Sequence, residues 1–177
     1  MAKRSLILAA LVALAACEST PRINYDSDPA ADFSQYRTYT WIFTGVPQGM
    51  NPLLFQRVKA SIDRSLAARG YTQTAQADFA VAFTVGARDR VEVTDYGSYG
   101  AFYPRFGYGY GWGGNRDVDV RNVTDGTLVI DIYDTRTRKP VWHGTATKEI
   151  NRNKPDPTLV DTAVDATLAN FPPPPKK

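Results

Sequence analysis

Gly126-Thr127-Leu128-Val129-Ile130-Asp131-Ile132-Tyr133-Asp134, followed after Thr135-Arg136-Thr137-Arg138-Lys139 by Pro140-Val141-Trp142-His143-Gly144-Thr145-Ala146, is the stretch on which the fold class turns. Leu128, Ile130 and Ile132 alternate with Val129, Asp131 and Tyr133, a period of two that puts one set on each side of a pleated ribbon. The polar connection makes the two runs a β-hairpin. Trp142, Gly144 and Ala146 share a side, assigned to the core. Asp125-Gly126 and Asp134-Thr135 read as turn chemistry at the two ends of the first strand.

Upstream, Phe79, Val81, Phe83 and Val85 alternate with alanines and Thr84, giving another strand that Arg90 to Thr94 either continues or pairs with. Thr38 to Phe43 forms the first strand, with Tyr39, Trp41 and Phe43 on one side. Asn51 and Pro52 suit an N-cap and first helical position. Leu54 or Phe55, Val58, Ile62 and Leu66 then recur every three to four residues until Gly70 stops the helix. Asp156-Pro157 repeats that start for a second helix with Val160, Val164 and Leu168 on its apolar stripe and Phe171 nearby, ended by Pro172. The expected fold is α+β: an antiparallel β-sheet with two amphipathic helices packed on one face, and a long Tyr/Gly-rich loop between strands.

The N-terminus carries Lys3 and Arg4, an apolar run from Leu6 to Leu14, and Leu14-Ala15-Ala16-Cys17. These are the charged, apolar and cleavage regions of a signal peptide, and the apolar run is shorter than the roughly 20 residues of a membrane span. The last four residues look like a lipobox, which implies a diacylglyceryl group on the Cys17 sulfur and anchoring through acyl chains such as palmitate. Several chains at about 0.8 kcal/mol per buried methylene hold stably where one is marginal. By resemblance to lipoprotein sorting rules, Glu18 after the cysteine points to the outer membrane in preference to the inner one. The expected organisation is a leader over 1–16, a lipidated tether over 17–31 with Pro21 and Pro29, one domain over 32–171, and a Pro-rich tail over 172–177 in extended polyproline II.

Charge and chemistry narrow the function. The chain has 21 Lys+Arg against 18 Asp+Glu, and without Lys3 and Arg4 the balance is nearly neutral. With the arginines scattered among acids, nucleic acid is not an expected partner. Cys17 is the sole cysteine, so no intrachain disulfide forms and its thiol is left for modification. His143 is the sole histidine, read as exposed on an edge hairpin with no partner motif. No serine sits in a Gly-x-Ser-x-Gly elbow, and neither a phosphate-binding loop nor a metal-ligand spacing occurs. No catalytic residue, metal or cofactor is expected. Asp131 is expected to face the same way as Val129 and Tyr133, and it is an ordinary surface residue if that face meets solvent.

The unusual segment is 96–114, where Tyr96, Tyr99, Phe102, Tyr103, Phe106, Tyr108, Tyr110 and Trp112 are interleaved with glycines and Arg105 is the one charge. Its rings stack on glycan, dock a partner protein or lipid headgroup zone, or cover a sheet edge as a plain loop; loops this long are uncommon without a role or disorder. Tyr103, Phe106, Tyr108, Tyr110 and Trp112 are the candidate binding residues.

Asp32-Phe33, Tyr36-Arg37-Thr38-Tyr39-Thr40-Trp41, Arg69-Gly70-Tyr71 and Ala77-Asp78-Phe79 resemble, in order, the domain-of-unknown-function family 4136 of small bacterial envelope lipoproteins. Gly126 to Asp134, Val141-Trp142-His143-Gly144 and Phe171-Pro172-Pro173 extend the resemblance over about Asp32 to Pro173. The family pattern often has arginine near His143, a departure here. The resemblance implies a lipoprotein and the α+β fold, with no activity to carry over. The expected function is that of a membrane-anchored envelope lipoprotein facing the periplasm. Its domain is expected to be a non-catalytic binding or structural module for an envelope protein or cell-wall component. The alternative is a hydrolase-type enzyme acting on envelope glycan or peptide, which requires a cleft with convergent carboxylates such as Asp131.

Overall fold

The computed structural model describes residues 20–43, 45–95, 118–151 and 156–174. Six strands form one sheet: β1 (Arg22–Ser27), β2 (Thr38–Trp41), β3 (Thr72–Gln73), β4 (Phe79–Asp95), β5 (Val118–Asp134) and β6 (Pro140–Ile150). Two helices, α1 (Pro52–Ala68) and α2 (Leu159–Leu168), accompany them. The strand order is β1-β6-β5-β4-β2-β3. The α+β class holds, but the sheet is mixed: β2 runs parallel to both β3 and β4, whereas β4, β5, β6 and β1 pair antiparallel. The reason lies in the connection. A helix between two neighbouring strands is a crossover, which returns the chain to the same end and makes the strands parallel.

The expected tether is the second correction. Arg22–Ser27 is an edge strand, with Ile23 opposite Ala146 and Tyr25 opposite Gly144, and Pro21 before it is buried. A proline just before an edge strand removes no ladder hydrogen bond. Because β1 covers β6, the hairpin is internal to the sheet. Arg90 to Thr94 continues β4 without a break. Asp125-Gly126 is no turn, since both residues sit within β5 paired to Arg88 and Ala87.

Helix α1 forms where expected. The Asn51 side chain accepts from the backbone N–H of Leu53 (2.9 Å) and Leu54 (3.4 Å), satisfying donors that the first turn leaves without partners. At the other end Gly70 adopts φ +87°, Tyr71 N–H donates to Leu66 O (3.1 Å) and Gly70 N–H to Ala67 O (2.9 Å), the Schellman pattern that favours glycine. Helix α2 begins later than expected. Asp156 bonds Thr158 N (2.8 Å) from outside, and the first helical residue is Leu159.

Directly opposed residues place Val81, Phe83, Ile130, Ile132, Trp142 and Ala146 on one side of the sheet, and all are buried. Both helices lie there. Phe55, Val58, Ile62 and Leu66 of α1 and Ala163, Val164 and Leu168 of α2 close the core. Each large buried apolar side chain contributes about 1.5–3 kcal/mol. At one end Phe171 packs edge-on or tilted against Phe33, Tyr71, Phe79 and Trp142, with ring centroids 5.5–5.9 Å away. The opposite end is packed differently.

Candidate functional site: an apolar cleft at the helix N-termini

Strands β4 and β5 run on past the first turns of both helices, paired from Phe79 and Asp134 as far as Asp95 and Val118. Between those first turns and the sheet lies a cleft of about 610 Å³. Leu54 and Val58 of α1 form one wall and Val160 and Ala163 of α2 the other. Val85, Ala87, Gly126 and Leu128 form the floor, and Pro21 and the Pro47–Met50 loop meet at its rim. The cause is a mismatch of size. The apolar stripes of both helices continue to their N-termini, but the sheet opposite carries Ala87 and Gly126, which are too small to fill the space. The volume lies within the roughly 300–1,000 Å³ of small-molecule sites.

The electrostatics of this cleft are simple. Among the described residues lining it, Lys148 is the sole charged side chain and no carboxylate is present. In α1 the Asn51 side chain already accepts from the first-turn N–H groups of Leu53 and Leu54, and the rest of the cleft lining is mainly apolar. The space therefore favours apolar surface over a buried anion.

Asp131 and His143 lie elsewhere. They face each other across β5 and β6, with His143 Nδ1 2.6 Å from Asp131 Oδ1. They share the side opposite the helices with Val129 and Tyr133. The His143 side chain is 51% exposed and that of Asp131 26%, so the pair stands on the uncovered sheet face rather than in a cleft. His143 thus has the exposure expected of it and a partner that was not expected. Among the described residues no third His, Cys, Asp or Glu joins them to make a metal site.

Two polar clusters flank the core. Asp63 accepts from Tyr39 Oη (2.8 Å) and Trp41 Nε1 (3.0 Å) and pairs with Lys59 (2.8 Å), whose ammonium also lies 4.7 Å from the Trp41 ring centre. Burial first, and then the Asp63 carboxylate, push the Tyr39 hydroxyl pKa well up. Asp125, read from sequence as a turn residue, instead pairs with Arg90 at 2.7 Å, and Arg90 also reaches Glu92 at 2.6 Å.

Cys17 and the rings of Tyr103, Phe106, Tyr108, Tyr110 and Trp112 lie outside the described residues. The cleft was missed from sequence because each of its lining residues has an ordinary role as core, loop or strand. The available signal was the run of small residues Gly86, Ala87 and Gly126 beside two apolar stripes that extend to their helix starts.

Comparison with known proteins now fixes the lineage. The family model described as domain of unknown function DUF4136 matches residues 23–173. The chain belongs to this family. A solved DUF4136 family protein from Bacteroides thetaiotaomicron shares 14% identity at a TM-score of 0.52, over 88% of this chain and 97% of that one. A PDZ domain protein from Parabacteroides distasonis gives 12% identity and a TM-score of 0.59 over 97% of this chain, which spans 40% of that chain's length. The PelC dodecamer from Paraburkholderia phytofirmans gives 11% identity and a TM-score of 0.50, over 85% of this chain and 95% of that one. At such identities the likeness is one of fold. No curated protein sequence matches this DUF4136 chain.

Proposed function

We propose that this DUF4136 protein is an envelope lipoprotein, anchored through acylated Cys17 and facing the periplasm, whose domain is a non-catalytic binding module with the apolar cleft as its site. Glu18 favours the outer membrane. The observation that carries the reading is the placement of Pro21 on the cleft rim, four residues after Cys17. An extended chain covers at most about 3.6 Å per residue, so the rim at Pro21 lies within about 14 Å of the Cys17 backbone. Tyr103, Phe106, Tyr108, Tyr110 and Trp112, which lie in sequence between β4 and β5, are further candidate contact residues in this reading.

The hydrolase alternative draws on one observation, the short Asp131–His143 contact, and its weakness is the flat setting of that pair. The test is photo-crosslinking in the native envelope, with a reactive amino acid at Met50 on the cleft rim, at Tyr103 and at Tyr110, and a control at exposed Arg64. Discrete adducts at the first three positions and none at the control support a binding module. Equal labelling at all four contradicts it.

A further inference from the structure

The chemistry of the cleft names a class of ligand. We propose that it takes one long acyl chain of an anionic membrane phospholipid, the chain lying between the first turns of α1 and α2 and the phosphate at Lys148. The proposal rests on the anchored reading above, because that anchor sets this end of the domain against the headgroup layer.

Four observations carry it. The walls and floor are aliphatic, and the volume of about 610 Å³ suits a drug-sized or chain-like apolar ligand. The charge is complementary to a phosphate: among the described residues Lys148 lines the cleft without a carboxylate within ion-pair distance, and no acid lines the cleft at all. Exposed apolar side chains gather at the same end, with Leu53 in the first turn of α1 at 70% exposure and Val91 and Val120 at 60% each. The two valines share the helix side of the β4–β5 arm, beyond the Asp89–Thr124 pair that follows the cleft floor. Finally, the short reach from Cys17 to Pro21 keeps the rim close to lipid. A bilayer's polar layers add roughly 5–7 Å on each side of its hydrocarbon core, well inside that reach.

The test uses the full mature protein, purified from membranes in detergent and returned to phosphatidylglycerol vesicles that contain a phospholipid with a diazirine in its acyl chain. After irradiation, adducts are expected on peptides holding Val58, Val85 to Ala87 and Val160. Ala87→Trp, which sets an indole on the cleft floor, should lose them, and Gln76→Trp at the opposite end should keep them. Lys148→Glu should lower the adduct in phosphatidylglycerol and leave it unchanged in phosphatidylcholine. Circular dichroism checks the folding of each variant, and Val160→Phe serves as the second cleft-filling change if Ala87→Trp does not fold.

Adducts confined to peptides outside the cleft, or cleft adducts that survive both filling variants, overturn the proposal. So does a cleft labelled only when the protein is made with a diazirine fatty acid on its own Cys17, which would make the occupant the chain's own lipid. The mass of the N-terminal peptide separates the two readings. Acylated Cys17 without cleft adducts removes the ligand alone; unmodified Cys17 with cleft adducts removes the anchor and leaves the ligand.

Discussion

Gly144→Ala tests how the two layers are joined. A Cβ at Gly144 would lie 2.2 Å from Trp142 Cη2, 2.8 Å from Trp142 Cζ3 and 2.7 Å from Thr167 Cγ2. Ordinary carbon contacts sit at about 3.5–4.0 Å, so the neighbours must retreat by more than an ångström. Neither is free to do so. Trp142 is 1% exposed with its ring 5.5 Å from Phe171, and Thr167 is fully buried and bonded to Ala163 O at 2.7 Å. Overpacking of this kind costs typically 1–3 kcal/mol, and three such contacts put Gly144→Ala near 3 kcal/mol. At about 2–4 °C per kcal/mol for a domain of this size, the melting temperature should fall by about 6–12 °C. The assay is urea unfolding followed by circular dichroism, where the midpoint moves and the slope does not. Trp142→Phe removes the two offending ring atoms, and also an indole N–H that is buried without a partner. In that background Gly144→Ala should cost at least about 1 kcal/mol less, the coupling expected of residues in contact. Adding Thr167→Ser, which deletes Cγ2 and keeps the hydroxyl, should remove most of the remainder. A cost for Gly144→Ala below about 0.5 kcal/mol, the range of a neutral surface change, refutes the reasoning. An undiminished cost in the Phe background does the same.

Asp63→Ala should lose about 2 kcal/mol in the same assay, because the buried Tyr39 hydroxyl and the Trp41 N–H both lose their acceptor, and Asp63→Asn, which retains one acceptor oxygen, should lose less. The Asp78 carboxylate accepts from the backbone N–H of Arg37 and Thr38, which, with the Thr38 hydroxyl, holds its pKa below the usual 3.8. Its stabilisation is therefore present above about pH 4 and lost as pH falls toward the lowered value, and Asp78→Asn should flatten the urea midpoint against pH in that window. Burial, reinforced by Asp134 and Asp63, raises the pKa of Tyr36 and Tyr39. Their contribution is complete below the unfolded value near 10 and lost as pH rises beyond it, so tyrosinate absorbance should show these two rings titrating only with unfolding. Their titration with the exposed rings in folded protein would contradict that.

The parts of the fold legible in sequence were those whose signal is local. Asn51-Pro52, the stripe from Phe55 to Leu66 and Gly70 specify α1 completely, because cap, period and stop all lie within one segment. The β5–β6 hairpin is equally local, and its alternation placed Trp142, Gly144 and Ala146 in the core. Pairing between distant segments was not legible. Alternation tells which side chains turn inward but not which strand lies alongside, so the parallel β2–β4 contact was open to reading only through the helix that connects them. Strand β1 was hidden for another reason. Of its six residues Ile23 alone packs against the core, leaving a composition close to that of a linker. The Asp131–His143 pair follows from hairpin register, which neither residue reveals by itself. The cleft is the least local feature of all, a space defined by what Ala87 and Gly126 fail to fill.

The most direct test of the account is the mass of the N-terminal peptide from protein extracted from its own membranes. The account predicts a chain that begins at Cys17, with a diacylglyceryl group on the sulfur and release from the membrane fraction in the Cys17→Ala variant. A peptide that begins elsewhere, or one with an unmodified Cys17, would contradict it.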